Sequence, residues 1–316
     1  MFRNIKYITA VYETGSFSAA AKKLYITQPC LSAMVKKTED KLGVKIFDRN
    51  SKPLQLTEHG KQYFHYYEKI NNLEQEFENY LNDVRGLHTG TLSIGTNNVF
   101  ASYVLPTLIV QFNSLYPDIQ VKMFEGNIIY LSEALENGNL DLVIDNCHLD
   151  SKIFTQRRIG NEHLLLAAHR STCCHSSVMN YGLTHTDIID RKHLTAKKQT
   201  VSIKPFTDIP FIALRPGNDT RKRMDRICEQ ENVNVNVNLE VDQLATAFNI
   251  ACNQLGATLV SDTLLYNTTP NNDMLYYKLS NDASSRDIYL YNKRRKYLSA
   301  AAKTFINMAK DFYHKY

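Results

Sequence analysis

Phe17-Ser-Ala-Ala-Ala-Lys-Lys-Leu24, Tyr25-Ile-Thr27 and Gln28-Pro-Cys-Leu-Ser-Ala-Met-Val-Lys-Lys-Thr38 follow one another without a gap. An alanine-rich segment can lie close against a neighbouring helix. Three residues are enough for a tight turn. The segment after it opens with Pro29, whose missing N–H costs nothing in a first helical turn. Thr27 is placed to cap it, because a hydroxyl can accept an orphan backbone N–H. Two helices joined by so short a turn form the unit that sets a recognition helix in the major groove of DNA. Leu31, Val35, Thr38 and Leu42 give the second helix an inward stripe, which leaves Ser32, Ala33 and Lys36 to face outward.

The flanks extend the pattern. Before it, Asn4 to Thr14 reads as a helix with Ile5, Ile8, Val11 and Tyr12 on one face, ended by Gly15. After it, Val44 to Phe47 and Leu54 to Leu56 read as short strands around a polar turn that carries Arg49 and Lys52, the shape of a wing. Residues 1–60 hold ten Lys/Arg against five Asp/Glu, a net charge of +5. The whole chain of 316 residues also carries +5, so residues 61–316 are balanced. All excess positive charge therefore sits on the segment with the helix–turn–helix pattern, as phosphate binding requires.

From Thr57 to Arg85 the sequence reads as one long helix. Tyr63, Ile70, Phe77 and Val84 recur every seven residues, with Tyr66, Leu73 and Tyr80 between them. This narrow a/d seam with charged flanks predicts a coiled-coil dimer interface. Residues 90–265 then alternate strands and helices: strand 91–95, helix 99–116, strand 119–124, helix 131–136, strand 140–145, and again strand 211–214, helix 220–231, strand 233–241, helix 244–253, strand 258–260. Alternation of this kind predicts parallel sheets in two α/β subdomains with a cleft between them. Strands 274–279 and 287–291 and a helix over 298–313 complete the chain.

Hydrophobic residues make up 43% of the chain, which argues against wholesale disorder. No apolar run is long enough to span a bilayer and no export signal is visible, so a cytoplasmic protein with no membrane partner is expected. The six cysteines (30, 147, 173, 174, 228, 252) are then expected as thiols. They contain no CxxC pair, so no metal site is expected. Residues 170–200 hold Cys173, Cys174, His175, His185 and His193 and read as a surface insertion. No Ser/His/Asp grouping, phosphate loop or metal spacing suggests an enzyme, and no cofactor is implied.

By these residues the chain resembles the LysR-type transcriptional regulators. The matching stretches are Gly15-Ser-Phe17, Ala19 to Ala21, Leu24, Gln28-Pro29, Leu31-Ser32, Leu42-Gly43, Ile46-Phe47, Arg49, Leu56-Thr-Glu58 and Gly60. Gly90 to Gly95, Gly138 to Leu142, Pro210 to Ile212 and Phe305-Ile306 match further on. The resemblance implies an α+β chain: a winged helix-turn-helix DNA-binding domain over 1–60, a linker and dimerisation helix over 61–89, and over 90–316 a two-subdomain α/β effector domain similar to periplasmic binding proteins. It implies double-stranded DNA and a small-molecule effector as partners, and a homodimer or homotetramer. Gln28, Pro29, Ser32 and Lys36 match the DNA-facing side of the recognition helix, and Arg49 and Lys52 the basic wing. Ala33 and Met34 depart from the polar residues common there.

Thr96, Asn97 and Asn98 lie where a strand gives way to a helix, a place whose free N–H groups suit an anion. Asn127, Asn146 and Arg215 sit at other strand ends, where ligands bind in doubly wound sheets. The resemblance implies an effector pocket in this region. Two other readings are a solute-binding protein on the same cleft, which would need an export signal, and a redox-sensing regulator using Cys173 and Cys174.

Overall fold

The computed structural model describes residues 2–51, 53–86, 89–172, 176–195 and 200–315. They form two compact units, which divide between Glu78 and Asn79.

In the first unit α1 (Ile5–Thr14) ends on Gly15, and α2 (Phe17–Lys23) is capped by Ser16, which accepts the Ala19 N–H. Thr27 caps α3 (Gln28–Leu42) as the sequence requires, accepting from Cys30 N. Ile8, Val11, Ala20, Ala21, Leu31, Val35, Ile46 and Phe47 make the core. The wing strands are shorter than expected, β1 (Phe47–Asp48) and β2 (Gln55–Leu56). The Glu39 carboxylate takes the N–H of Ile46 at 2.9 Å and of Phe47 at 3.4 Å, which ties this stretch to α3. Helix α4 (Glu58–Val84) starts where Thr57 accepts the Gly60 N–H. A Cβ on Gly60 would stand 2.1 Å from the Ile46 carbonyl oxygen, so only glycine lets this helix lie against the wing.

The second unit runs β3 (Gly90–Thr96), α5 (Asn98–Tyr103), α6 (Leu105–Leu115), β4 (Ile119–Glu125), α7 (Ile128–Glu136), β5 (Leu142–Asp145) and β6 (Phe154–His169). After α8 (Ser176–Met179) and α9 (His185–Ile189) come β7 (Phe211–Leu214), α10 (Asp219–Glu231), β8 (Val237–Val241), α11 (Leu244–Cys252), β9 (Thr258–Ser261) and α12 (Asp262–Leu265). Strands β10 (Met274–Lys278) and β11 (Ser285–Lys293) and helix α13 (Ala300–Lys315) finish it.

Strand β3 is parallel to β4 and β5, but β11 is antiparallel to both β5 and β6. The sheets are therefore mixed, not purely parallel. Strand β6 is the longest element not expected from the sequence. Residues 154–163 pair with β11 in the first subdomain, and residues 164–169 pair with β9 and β10 in the second. Its pattern changes midway, from half-buried Thr155-Gln-Arg157 to wholly buried Leu164-Leu-Leu-Ala-Ala168. Neither strand period covers the whole of it. The single helix expected over 99–116 is two. They meet at Val104, because Pro106 has no N–H to continue the first ladder and fits only an opening turn.

Residues 176–195 are not a surface insertion. Val178, Leu183 and Ile188 are buried in the second subdomain's cores, and Leu183 exchanges both backbone hydrogen bonds with Tyr276. Their scattered apolar residues were hidden among polar neighbours. Phe305 and Ile306 of α13 pack in the first subdomain's core beside Phe112.

Candidate functional site

Helix α3 presents two unlike faces. Leu31, Val35, Thr38 and Glu39 are buried, whereas Gln28, Pro29, Ala33, Lys36 and Lys37 are exposed and Ser32 is half-buried. Four of the residues expected to meet DNA thus lie on the helix's open side. Arg49 is exposed as well, but it is anchored: its guanidinium lies 3.3 Å from Glu39 and over the Phe17 ring. Lys52 lies outside the described residues. Tyr25 was not singled out from sequence. It sits in the turn with φ +55 and is 97% exposed, beside the start of α3. Its positive φ belongs to the fold, and no pattern in the sequence marks it.

The seam on α4 divides. Tyr66, Ile70, Leu73, Phe77, Tyr80 and Val84 are all exposed, an apolar stripe along one helix. Tyr63 is the exception. It is 7% exposed and packs against Phe2 and Phe64 in the head's own core, so it is removed from the expected dimer interface. The physical reason is position, since α4 is still lying on the head at this turn. The Tyr80 ring meets Tyr297 edge-on at 5.3 Å.

A cleft of about 600 Å³ opens between the two subdomains of the second unit. This is the size of a small-molecule site. Asn97, Asn98, Asn127, Asn146 and Arg215 all line it. Asn97 caps α5 and also donates to Asp145 at 3.1 Å; Asn127 caps α7 by accepting the Tyr130 N–H at 2.9 Å. Asn98 reaches Glu125, and Asn146 donates to the Asp287 carbonyl. Across the cleft stand Arg215 and the start of α10, capped by Asn218. Thr96 is a correction. It is fully buried, it does not line the cleft, and its hydroxyl donates to the Ile144 carbonyl at 2.8 Å. It is the last residue of β3, and its side chain turns into the core.

Charge in the cleft is mixed. Arg215, Lys222 and Arg286 face Glu125, Asp145, Asp219 and Asp242. Arg286 was not found from sequence. It is buried and donates to Glu162 at 2.6 Å, to Asp219 at 2.8 Å and to the Thr220 hydroxyl at 3.1 Å. Burial works against its charge, but Glu162 and Asp219 more than offset that and hold its proton firmly. Burial also pushes the Asp145 carboxyl above its usual range, against the donated N–H groups of Cys147 and Asn97. The Cys147 thiol, beside it, is pushed up by burial and by Asp145. Cys228 and Cys252 are likewise raised by burial. None of these three has the lowered pKa of a reactive thiol. Cys173 and Cys174, on which the redox reading rests, lie outside the described residues.

Among the described residues no helix is long and apolar enough to cross a membrane. Residues 2–61 match the family model of the bacterial regulatory helix-turn-helix protein, lysR family, and residues 85–313 match that of the LysR substrate binding domain. A probable RuBisCO transcriptional regulator of Synechocystis sp. is 28% identical over 96% of this chain and 83% of its own length. The regulator YcgK of Bacillus subtilis is 24% identical over 97% and 93%. Among solved structures, the LysR-family regulator CbnR in complex with its target DNA has a TM-score of 0.72 at 18% identity, covering 98% of this chain and 99% of that one. Full-length BenM has a TM-score of 0.56 at 21% identity, covering 100% and 97%. With both family models matched in this order over nearly its whole length, the chain belongs to the LysR family of transcriptional regulators, a helix–turn–helix head followed by a LysR substrate-binding domain.

Proposed function

We propose that this regulator binds double-stranded DNA through Gln28, Pro29, Ser32, Lys36, Arg49 and Lys52, and that a small polar effector in the cleft controls it. The observation that carries the DNA reading is the two-faced α3: its inner stripe is used up in the core and its outer side is open. The wing's Arg49 meets phosphate while braced by Glu39. The division in this proposal is a head over 1–60, a linker over 61–89 whose helix α4 ends at Val84, and an effector domain over 90–316. The chain acts by binding and not by catalysis, in the cytoplasm where its DNA is.

The effector lies among Asn97, Asn98, Asn127, Asn146 and Arg215. Three cations and four carboxylates line the cleft, so net charge does not select an anion. The helix starts at Asn127, Asn218 and Gln243 do favour one, because their free N–H groups and dipoles converge there. A ligand spanning both subdomains would draw them together and change the setting of two DNA-bound heads.

Ser32→Glu sets a carboxylate on the open side of α3 and leaves the core stripe untouched. We expect binding to fall at least tenfold in gel shifts on a DNA fragment selected by the parent chain, about 1.4 kcal/mol or more. Unchanged binding would take this face out of the interface.

The exposed stripe Tyr66, Ile70, Leu73, Phe77, Tyr80 and Val84 joins two chains in this proposal, without Tyr63. Ile70→Asp with Phe77→Asp would force carboxylates into the seam, which is costly unless the helices part. Light scattering should then report a smaller particle than the parent at equal concentration. An unchanged mass would mean that the stripe is not the interface.

A further inference from the structure

His163, His193 and Asp262 come from three separate places in the second subdomain and converge away from the effector cleft. His163 lies on β6, Asp262 opens α12 and His193 sits in the short 3-10 turn Lys192–Leu194. The carboxylate oxygen Oδ2 of Asp262 lies 3.2 Å from His163 Nδ1 and 3.1 Å from His193 Nε2. All three donor atoms fall within 4.8 Å of one another. From this geometry we propose that they form a binding site for a divalent transition-metal ion of the zinc class.

Three features suit a metal site. The donor set is two imidazoles and one carboxylate, which suits a borderline cation and not magnesium or calcium. Metal bonds of about 2.0–2.1 Å in a tetrahedron put ligand atoms roughly 3.3 Å apart. Both Asp–His edges already match this, and only the His–His edge has to close. The ligands are also held from behind. Asp262 Oδ1 accepts the backbone N–H of His163 at 3.0 Å and of Thr263 at 2.9 Å, which leaves Oδ2 for the site. His193 Nδ1, by contrast, is buried with no hydrogen-bond partner among the described residues.

The Tyr266 hydroxyl, 3.4 Å from His193 Nε2, stands beside the fourth position, which it or a water would fill. His163 gives the way in: its side chain is 27% exposed, whereas that of His193 is fully buried. Bound metal would clamp the 176–195 segment, which already packs against α12 and β10, to β6 as well.

The test uses the full chain, stripped with chelator and titrated with zinc alone in a competition assay. One equivalent per chain at micromolar affinity or tighter is expected. His163→Gln, at the exposed ligand, should weaken it at least tenfold, and Asp262→Asn further. Cobalt in place of zinc should give the visible bands of a tetrahedral nitrogen–oxygen site without a thiolate charge-transfer band. That band, which Cys173 and Cys174 would produce, would overturn the assignment. So would less than about a fifth of an equivalent bound, or affinity unchanged in a folded His163→Gln chain.

Discussion

Replacing Arg286 by methionine should destabilise the effector domain by roughly 3–5 kcal/mol, the usual cost of removing one partner from a buried ion pair. Methionine keeps much of the stem and loses all the hydrogen bonds. What remains is Glu162, 1% exposed, whose Oε2 already has no hydrogen-bond partner. Its second oxygen would lose the guanidinium too. Calorimetry on the full chain should show the domain's transition fall by about 10 °C or more, since 1 kcal/mol moves a domain of this size by roughly 2–4 °C. The double variant Arg286→Met with Glu162→Gln should recover a substantial part, because it removes the stranded charge. A single variant within about 1 kcal/mol of the parent would show that the pair is not integral to the fold.

The same cluster sets a pH dependence. Burial pushes Asp219 up, but Arg286 and Arg223 outweigh it and hold the carboxyl below its ordinary value of 3.8. A group with a lowered folded pKa stabilises the fold above its unfolded value, and that contribution disappears as pH falls through the folded one. The parent should therefore lose stability on acidification below about pH 4. Arg286→Met should lose less over that window, having little of the contribution left to lose.

Glu39→Ala in the recognition helix should cost about 3 kcal/mol, since each buried N–H left without an acceptor costs roughly 1–3 kcal/mol. The amides are those of Ile46 and Phe47, both within the head's core. Glu39→Gln separates this from charge. A glutamine oxygen can still accept the Ile46 N–H. It gives up only the pairing with Lys45 and Arg49, whose side chains are exposed, and such pairs contribute under about 1 kcal/mol. Hydrogen exchange at Ile46 and Phe47 should accelerate strongly in the alanine variant and little in the glutamine one. Equal exchange in both would mean that the wing is held by packing alone.

Much of this molecule could be read from local signals. Thr27, Pro29, Gly15 and Gly43 punctuate the head, and α3 has the buried stripe that its spacing requires. The cleft residues Asn97, Asn98 and Asn127 stand at strand-to-helix junctions, where short polar caps are needed. What stayed hidden depends on partners distant in sequence. Nothing local marks Glu39 as buried; the wing that folds over it does that. Arg286 meets Glu162 and Asp219 across more than sixty residues. Tyr63 fits a heptad, but where α4 leaves the head is a tertiary fact. Thr96 was misassigned because a strand's last residue can face either way.

Strand β6 carries one more consequence. It passes from the first sheet into the second without a break, and the return path is only the short stretch 279–284 between β10 and β11. A hydrogen-bonded ribbon has no swivel. Any change in cleft width must be spread over several residues as bending, against the elasticity of the ladder on both sides. Within the first sheet it also cannot thicken at Gly160, where a Cβ would stand 2.7 Å from the Tyr313 ring. The two halves are therefore mounted like the ends of a leaf spring. Such a mount favours small excursions over large ones, with the short 279–284 stretch following each stroke.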